Sequence, residues 1–127
     1  MSQSRAIETV TVVGATGRMG RMIVARCRRA GLACHELDMP LDSPDCRATA
    51  ARALPRCDLV LLCVPAQAIG QVLGQLGGDI GRGAIIADIC SVKVRPLEEI
   101  ASLHPGPVVG THPLFGPKPA EGDPLRV

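Results

Sequence analysis

The residues whose spacing most clearly points to chemistry are three glycines set three apart, Gly14, Gly17 and Gly20. They follow an apolar, β-branched run typical of a buried strand and accompany the start of a predicted helix, Arg18–Ala30. Glycine there allows a sharp turn and lets a pyrophosphate approach the N–H groups at the helix start. The spacing predicts a nucleotide-binding loop, which comprises Gly14, Ala15, Thr16, Gly17, Arg18, Met19 and Gly20. An ordinary strand-to-helix turn is the alternative, because a glycine triplet alone is a weak signal.

An acidic residue in a second position supports nucleotide binding. Asp38 ends the second predicted strand, about 20 residues beyond the glycine loop, where dinucleotide folds keep an acid that binds the ribose hydroxyls. A carboxylate there favours NAD over NADP, since a 2′-phosphate would meet like charge. The alternative is a turn aspartate ahead of Pro40.

Two residues late in the chain are candidates for the reacting end of a site. His112 follows the last predicted strand, and its ordinary pKa of about 6.5 makes imidazole a suitable base near neutral pH. Ser91 can hydrogen-bond an imidazole or a bound amide. The alternatives are a histidine that bonds only its own turn and a serine that caps the following helix.

The elements that position these residues alternate along the chain. Strands are predicted at 7–13, 32–37, 59–64, 84–87 and 108–109, and helices at 18–30, 45–54, 68–76 and 92–103. This order predicts an α/β fold with a mainly parallel, doubly wound, Rossmann-like sheet. Ligands bind such sheets at the carboxyl ends of the strands, where the glycine loop, Asp38, Val64–Pro65 and His112 all fall.

Composition limits the remaining function classes. The 127 residues suffice for one domain, and a net charge of +2 is too small to indicate nucleic acid or an anionic membrane as a partner. No apolar run approaches the ~20 residues of a membrane helix. The six cysteines form no Cys-x-x-Cys and no zinc spacing, so we expect no metal. With no export signal at residues 1–6, we expect free thiols and a cytoplasmic location.

Four segments together resemble the nucleotide-binding domain of the prephenate dehydrogenase family. They are the glycine loop, Cys63-Val64-Pro65, Asp88-Ile89-Cys90-Ser91-Val92-Lys93 and Gly110-Thr111-His112-Pro113-Leu114-Phe115-Gly116-Pro117. The Ser-Val-Lys and His-Pro-x-Phe-Gly-Pro parts are the discriminating ones. The glycine loop alone equally resembles dihydrodipicolinate reductase.

The resemblance implies oxidative decarboxylation of prephenate, or of arogenate, with NAD or NADP in tyrosine biosynthesis. It implies that His112 takes the ring-hydroxyl proton, that Ser91 orients His112 beside the nicotinamide, and that Cys63, Val64 and Pro65 join the cofactor site. The family continues into a dimerising helical domain that these 127 residues do not include. We therefore expect residues 1–127 to be a truncated dinucleotide-binding domain with little activity alone. A non-catalytic dinucleotide-binding module is the alternative.

Overall fold

The computed structural model describes residues 6–89 and 94–110, which form a parallel five-stranded sheet flanked by helices. The strand order is β2-β1-β3-β4-β5, and every neighbouring pair is parallel. The strands are β1 (Thr9–Val13), β2 (Ala33–Leu37), β3 (Leu59–Leu62), β4 (Ile85–Asp88) and β5 (Val108–Gly110), and the helices are α1 (Arg18–Arg29), α2 (Pro44–Ala53), α3 (Ile69–Leu76) and α4 (Val94–Leu103). The predicted Rossmann-like fold is confirmed.

Local signals explain where the helices begin and end. Ser43 caps α2, because its side chain accepts a hydrogen bond from the Cys46 N–H at 3.2 Å. Pro44 occupies the first position of that helix, one residue earlier than predicted. Gly31 follows α1 with φ of +85°, a left-handed conformation that glycine adopts without strain.

The strand ends differ from the prediction by one or two residues, and hydrogen bonding explains the start of β1. The Asp58 carboxylate accepts the N–H groups of Glu8 and Thr9 at 2.9 and 3.1 Å. The chain before Thr9 is therefore held by a side chain instead of extending the ladder with β3. At the other edge β3 ends at Leu62, although the Cys63 N–H still bonds the Val13 carbonyl at 2.8 Å.

The sheet buries a different cluster of aliphatic side chains on each face. On one face α2, α3 and α4 cover Leu62 of β3 and Ile86 of β4, and α4 contributes Ile100; all three side chains are fully buried. On the other face α1 covers Val10 and Val12, and it is the only described helix in that cluster. Burying each such side chain contributes roughly 1.5–3 kcal/mol, which fixes the sheet as a rigid platform for its carboxyl edge.

Two properties of the described residues bear on possible partners. None of the helices within 6–89 and 94–110 is long and apolar enough to cross a membrane. The same residues contain no group of three or more metal-ligating side chains.

Candidate nucleotide-binding site

The glycine loop begins with a turn that only glycine allows. Gly14 has φ of +85°, and a Cβ placed there would overlap the Cys63 carbonyl, with its carbon only 2.9 Å away. The N–H groups of Gly14 and Ala15 both donate to the Leu37 carbonyl, at 2.8 and 3.3 Å. The turn is therefore wedged between β2 and β3, and the fold itself requires a glycine at position 14.

The other two glycines of the loop have different causes. A Cβ on Gly20 would overlap the Gly14 carbonyl and lie 2.8 Å from the Ala15 Cα, so the close packing of α1 on the loop requires this glycine. A Cβ on Gly17 would meet nothing closer than the Gly14 oxygen at 3.6 Å, and its φ of −70° suits any residue. The fold leaves the space beside Gly17 open to a ligand.

The start of α1 is suited to an anion. Its N-cap is Gly17, which has no side chain to cap the helix, and its first turn contains no acidic residue. The first N–H groups of any helix lack partners within the helix and sit at its positive end. Arg18 and Arg21 in the first turn are both exposed and add positive charge. A phosphate beside Gly17 would therefore meet unhindered N–H donors and favourable charge.

Asp38 lies against the loop, as predicted, and is held there by three hydrogen bonds. Its Oδ2 accepts the Thr16 N–H at 2.7 Å and the Thr16 Oγ1 hydroxyl, while its Oδ1 accepts the Met39 N–H at 2.8 Å. Burial raises the pKa of Asp38, but the hydrogen bonds from Thr16 and Met39 outweigh burial and lower this pKa below its usual value. The carboxylate is therefore charged at neutral pH.

The structure shows the turn contact of Asp38, whereas ribose binding by its carboxylate stays a prediction. Asp38 bonds the next residue as a turn aspartate does, and it also joins the end of β2 to the glycine loop across 22 positions of sequence. The sequence included Thr16 in the loop but did not predict this pairing. A threonine in the loop together with an acid at the end of β2 is the signal that could have found it.

The segment after β3 borders the loop on its other side. The Cys63 carbonyl and the Val64 Cγ1 are the atoms nearest to a Cβ placed on Gly14, and Val64 is buried. Pro65 is exposed and its carbonyl accepts the Ala68 N–H at 2.9 Å, which starts the short 3-10 helix Ala66–Ala68. The structure therefore brings Cys63, Val64 and Pro65 to the same edge as the glycine loop.

The predicted reacting residues lie outside the described part of the chain. These are Ser91 and His112, together with Cys90 and Lys93 of the discriminating segments. The two elements that lead to them end at the edge of the loop, because Asp88 of β4 is in register with Leu62 of β3 and with Gly110 of β5.

The other histidines have structural surroundings. His35 is half-buried within β2. His104 follows the last turn of α4; it is buried and its Nε2 lies 2.7 Å from the Ala84 carbonyl. The His104 side chain therefore links the end of α4 to the residue before β4, at the edge of the sheet opposite the glycine loop.

That opposite edge also holds a cavity of about 200 Å³, lined by Pro55, Arg56, Cys57, Asp58, Gly81, Gly83 and Ala84. Its acidic member, Asp58, already binds the N–H groups of Glu8 and Thr9 at the start of β1. The loop edge, with open helix N–H groups and a charged carboxylate, is the better nucleotide site.

Comparisons with known proteins identify the family of this chain. Residues 33–122 match the model of the family described as prephenate dehydrogenase, nucleotide-binding domain. The matched range contains Asp38, Cys63–Pro65, Ser91 and His112, whereas the glycine loop precedes it.

Individual relatives point the same way. The chain is 35% identical over 111 residues to a T-protein of Enterobacter agglomerans, covering 87% of this chain and 28% of that protein. It is 33% identical over 119 residues to a 4-amino-4-deoxyprephenate dehydrogenase of Streptomyces pristinaespiralis, covering 84% of this chain and 40% of that protein. The chain therefore spans less than half the length of these curated relatives.

A solved structure supports the fold. The prephenate dehydrogenase of A. aeolicus, in complex with hydroxyphenyl propionate and NAD+, superposes with a TM-score of 0.66 at 21% identity, covering 92% of this chain and 45% of that chain. At this identity the likeness shows the fold. The family description names a nucleotide-binding domain, which confirms the predicted class of ligand.

Proposed function

This chain belongs to the prephenate dehydrogenase family, as its nucleotide-binding domain, and we propose that it binds the NAD of an oxidoreductase acting on prephenate. Arogenate is the neighbouring substrate that the same family resemblance allows. The reaction belongs to a whole protein, and this chain spans 28% of the T-protein relative. What these residues contribute is the cofactor half of the site.

The observation that carries the proposal is the open space beside Gly17. The fold requires glycine at positions 14 and 20 but not at 17, where a Cβ would meet only one atom within 4 Å. A glycine without a structural cause, at the uncapped start of a helix, fits the close approach of a pyrophosphate. The residues present therefore fit a dinucleotide.

Asp38 supports NAD as the form that is bound. Its carboxylate stands beside the loop and is kept charged by its hydrogen bonds. A carboxylate accepts hydrogen bonds from ribose hydroxyls, whereas a 2′-phosphate places two negative charges beside it. The preference for NAD over NADP therefore follows from the negative charge of Asp38.

The chemistry that follows is a paired hydride and proton transfer. When bound, the nicotinamide ring supplies the hydride acceptor. An imidazole at its ordinary pKa is a suitable base near pH 7. We assign His112 to take the proton of the ring hydroxyl while hydride leaves the ring carbon that bears this hydroxyl. Loss of carbon dioxide then makes the ring aromatic, so the protein has mainly to align the groups and remove one proton. Ser91 is assigned to orient the His112 imidazole.

Nucleotide binding is tested first, on the chain as it stands. The chain has no Trp and no Tyr, so bound NADH can be followed by its own fluorescence without interference from the protein. We expect NADH to bind more tightly than NADPH and prephenate turnover by the chain alone to be low. If the chain does not change the fluorescence of NADH, and calorimetry at high NADH concentration shows no heat of binding, nucleotide binding is refuted.

Catalysis is tested in a chimera in which this chain replaces the matching segment of the Enterobacter agglomerans T-protein. His112→Asn should lower prephenate-dependent NADH formation by about 10²–10⁴-fold, the usual contribution of a general base, with unchanged NADH affinity. His35→Asn, a change at the half-buried histidine of β2, is the matched control. Full turnover by the His112 variant would refute the role assigned to His112, whereas an unmutated chimera that binds NADH but does not turn over prephenate would favour a non-catalytic module. A panel of prephenate, arogenate and dihydrodipicolinate separates the possible substrates.

A further inference from the structure

Thr16 is exposed in the glycine loop, yet it bonds the carboxylate that follows β2. Its backbone N–H and its hydroxyl both donate to the same oxygen, Oδ2 of Asp38. The other oxygen, Oδ1, accepts the Met39 N–H at 2.8 Å. Two elements far apart in sequence thus hold one carboxylate in a fixed orientation at the mouth of the glycine loop.

The hydrogen-bonding capacity of this pair matches two adjacent hydroxyls. A carboxylate oxygen accepts about two hydrogen bonds, so Oδ2 is filled by Thr16 while Oδ1 retains one acceptor position. The Thr16 Oγ1 donates its proton to Asp38 and keeps its own lone pairs. Asp38 Oδ1 and Thr16 Oγ1 are then neighbouring acceptors, which suits the 2′- and 3′-hydroxyls of a ribose.

The same bonds explain how a phosphorylated ribose would be rejected. A carboxylate on a flexible side chain can rotate towards solvent and make room for a 2′-phosphate. Two bonds from Thr16 and one from Met39 oppose that rotation, so the negative charge stays beside the ribose position. Discrimination between two ligands often depends on such a fixed repulsive group.

We propose that Thr16 is a specificity-determining residue that acts through Asp38, holding its carboxylate so that the site accepts a free ribose and rejects a 2′-phosphorylated one. This inference rests on the proposed binding of a dinucleotide at the glycine loop. Thr16 thereby gains a role in selectivity in addition to those of the loop glycines and Asp38.

The test compares Thr16→Val with Thr16→Ser in the 127-residue chain, using NADH and NADPH as probes. Valine has the shape of threonine without its hydroxyl, and serine restores the hydroxyl. We expect Thr16→Val to reduce the ratio of the NADPH Kd to the NADH Kd by about tenfold, the effect of one charge-assisted hydrogen bond. Thr16→Ser should restore the ratio. The matched control is Thr49→Val at a half-buried threonine of α2, which should leave the ratio unchanged.

The outcomes separate this inference from the function beneath it. If the wild-type chain binds NADH but Thr16→Val keeps the wild-type ratio, the role of Thr16 is refuted and nucleotide binding stands. If Thr16→Ser behaves like Thr16→Val, the hydroxyl has no part in selectivity and the inference also fails. If the wild-type chain binds neither probe, both proposals fall. Circular dichroism of each variant checks that the fold is retained.

Discussion

Replacing the loop glycines by alanine, one at a time, separates the two that the fold requires from the one that a ligand requires. At Gly14 the new methyl group would combine a φ of +85° with overlap of the Cys63 carbonyl. At Gly20 it would overlap the Gly14 carbonyl, and at Gly17 it would find its nearest neighbour at 3.6 Å. The three substitutions are chemically identical, so their effects differ only through the surroundings.

The expected losses of stability follow from these surroundings. Gly14→Ala costs about 1–2 kcal/mol for the left-handed backbone and a further 1–3 kcal/mol for overlap with backbone that cannot move aside. Gly20→Ala costs about 1–3 kcal/mol for overlap, of which about 1 kcal/mol is offset because alanine favours the helix. For Gly17→Ala, a modest loss of N-cap preference opposes the smaller entropy of the unfolded chain, so the net change is within about 1 kcal/mol.

Gly17→Ala, the variant expected to lose least stability, should lose NADH affinity. The Gly17 methyl group would stand where the pyrophosphate approaches the helix N–H groups, so we expect Gly17→Ala to weaken NADH binding at least tenfold. Stability is measured by urea unfolding with circular dichroism, since the chain has no Trp or Tyr to report by fluorescence. Binding is measured by NADH fluorescence on the same samples.

Two results would refute this reasoning. If Gly17→Ala binds NADH as tightly as the wild-type chain, the open space beside Gly17 is not the pyrophosphate site. If Gly14→Ala is as stable as the wild-type chain, the positive φ and the contact with Cys63 do not constrain the turn.

Three further predictions concern the supporting structure. Ser43→Ala removes the side-chain acceptor of the Cys46 N–H, and urea unfolding should show a loss of about 0.5–2 kcal/mol, whereas an unchanged midpoint would show that the cap is dispensable. The pKa of Asp38 is lower in the folded than in the unfolded chain, so its stabilising effect is fully present above about pH 4 and is lost as pH falls through the folded pKa. The stability difference between wild type and Asp38→Asn should therefore be constant from about pH 8 to 5 and shrink below about pH 4; a difference that changes near neutral pH would contradict it. Burial, with the neighbouring Cys27, raises the pKa of Cys34 to about 11, so alkylation of Cys34, followed by mass spectrometry, should be slow at pH 8 and still accelerate at pH 10.

Local patterns predicted the fold because each element carries its own signal. The strand predicted at 59–64 is an unbroken apolar run, typical of a strand covered on both faces, and β3 is the middle strand of the sheet. Gly31 after α1 and Ser43 before α2 are residue types typical of a helix end and a helix start, and the structure has both boundaries there. Such signals depend on neighbouring residues alone, so a single sequence is sufficient to read them.

Contacts between distant residues were not predictable in the same way. The carboxylate of Asp58 sets the start of β1 from 49 positions away, and the pair of Thr16 with Asp38 depends on β1 and β2 lying side by side. The contact of the His104 ring with the Ala84 carbonyl likewise joins residues 20 positions apart. The sequence therefore predicted which residues lie at the carboxyl edge of the sheet, whereas the hydrogen bonds among these residues were visible only in the structure.

The most direct test of the account is to map where NAD+ binds by NMR on this 13.3 kDa chain. We predict that amide signals of residues 14–20, Asp38 and Cys63–Val64 shift on titration, while those around the cavity at Asp58 and Ala84 do not. Shifts confined to Asp58 and Ala84, or no shifts at saturating NAD+, would contradict a nucleotide site at the carboxyl edge of the sheet.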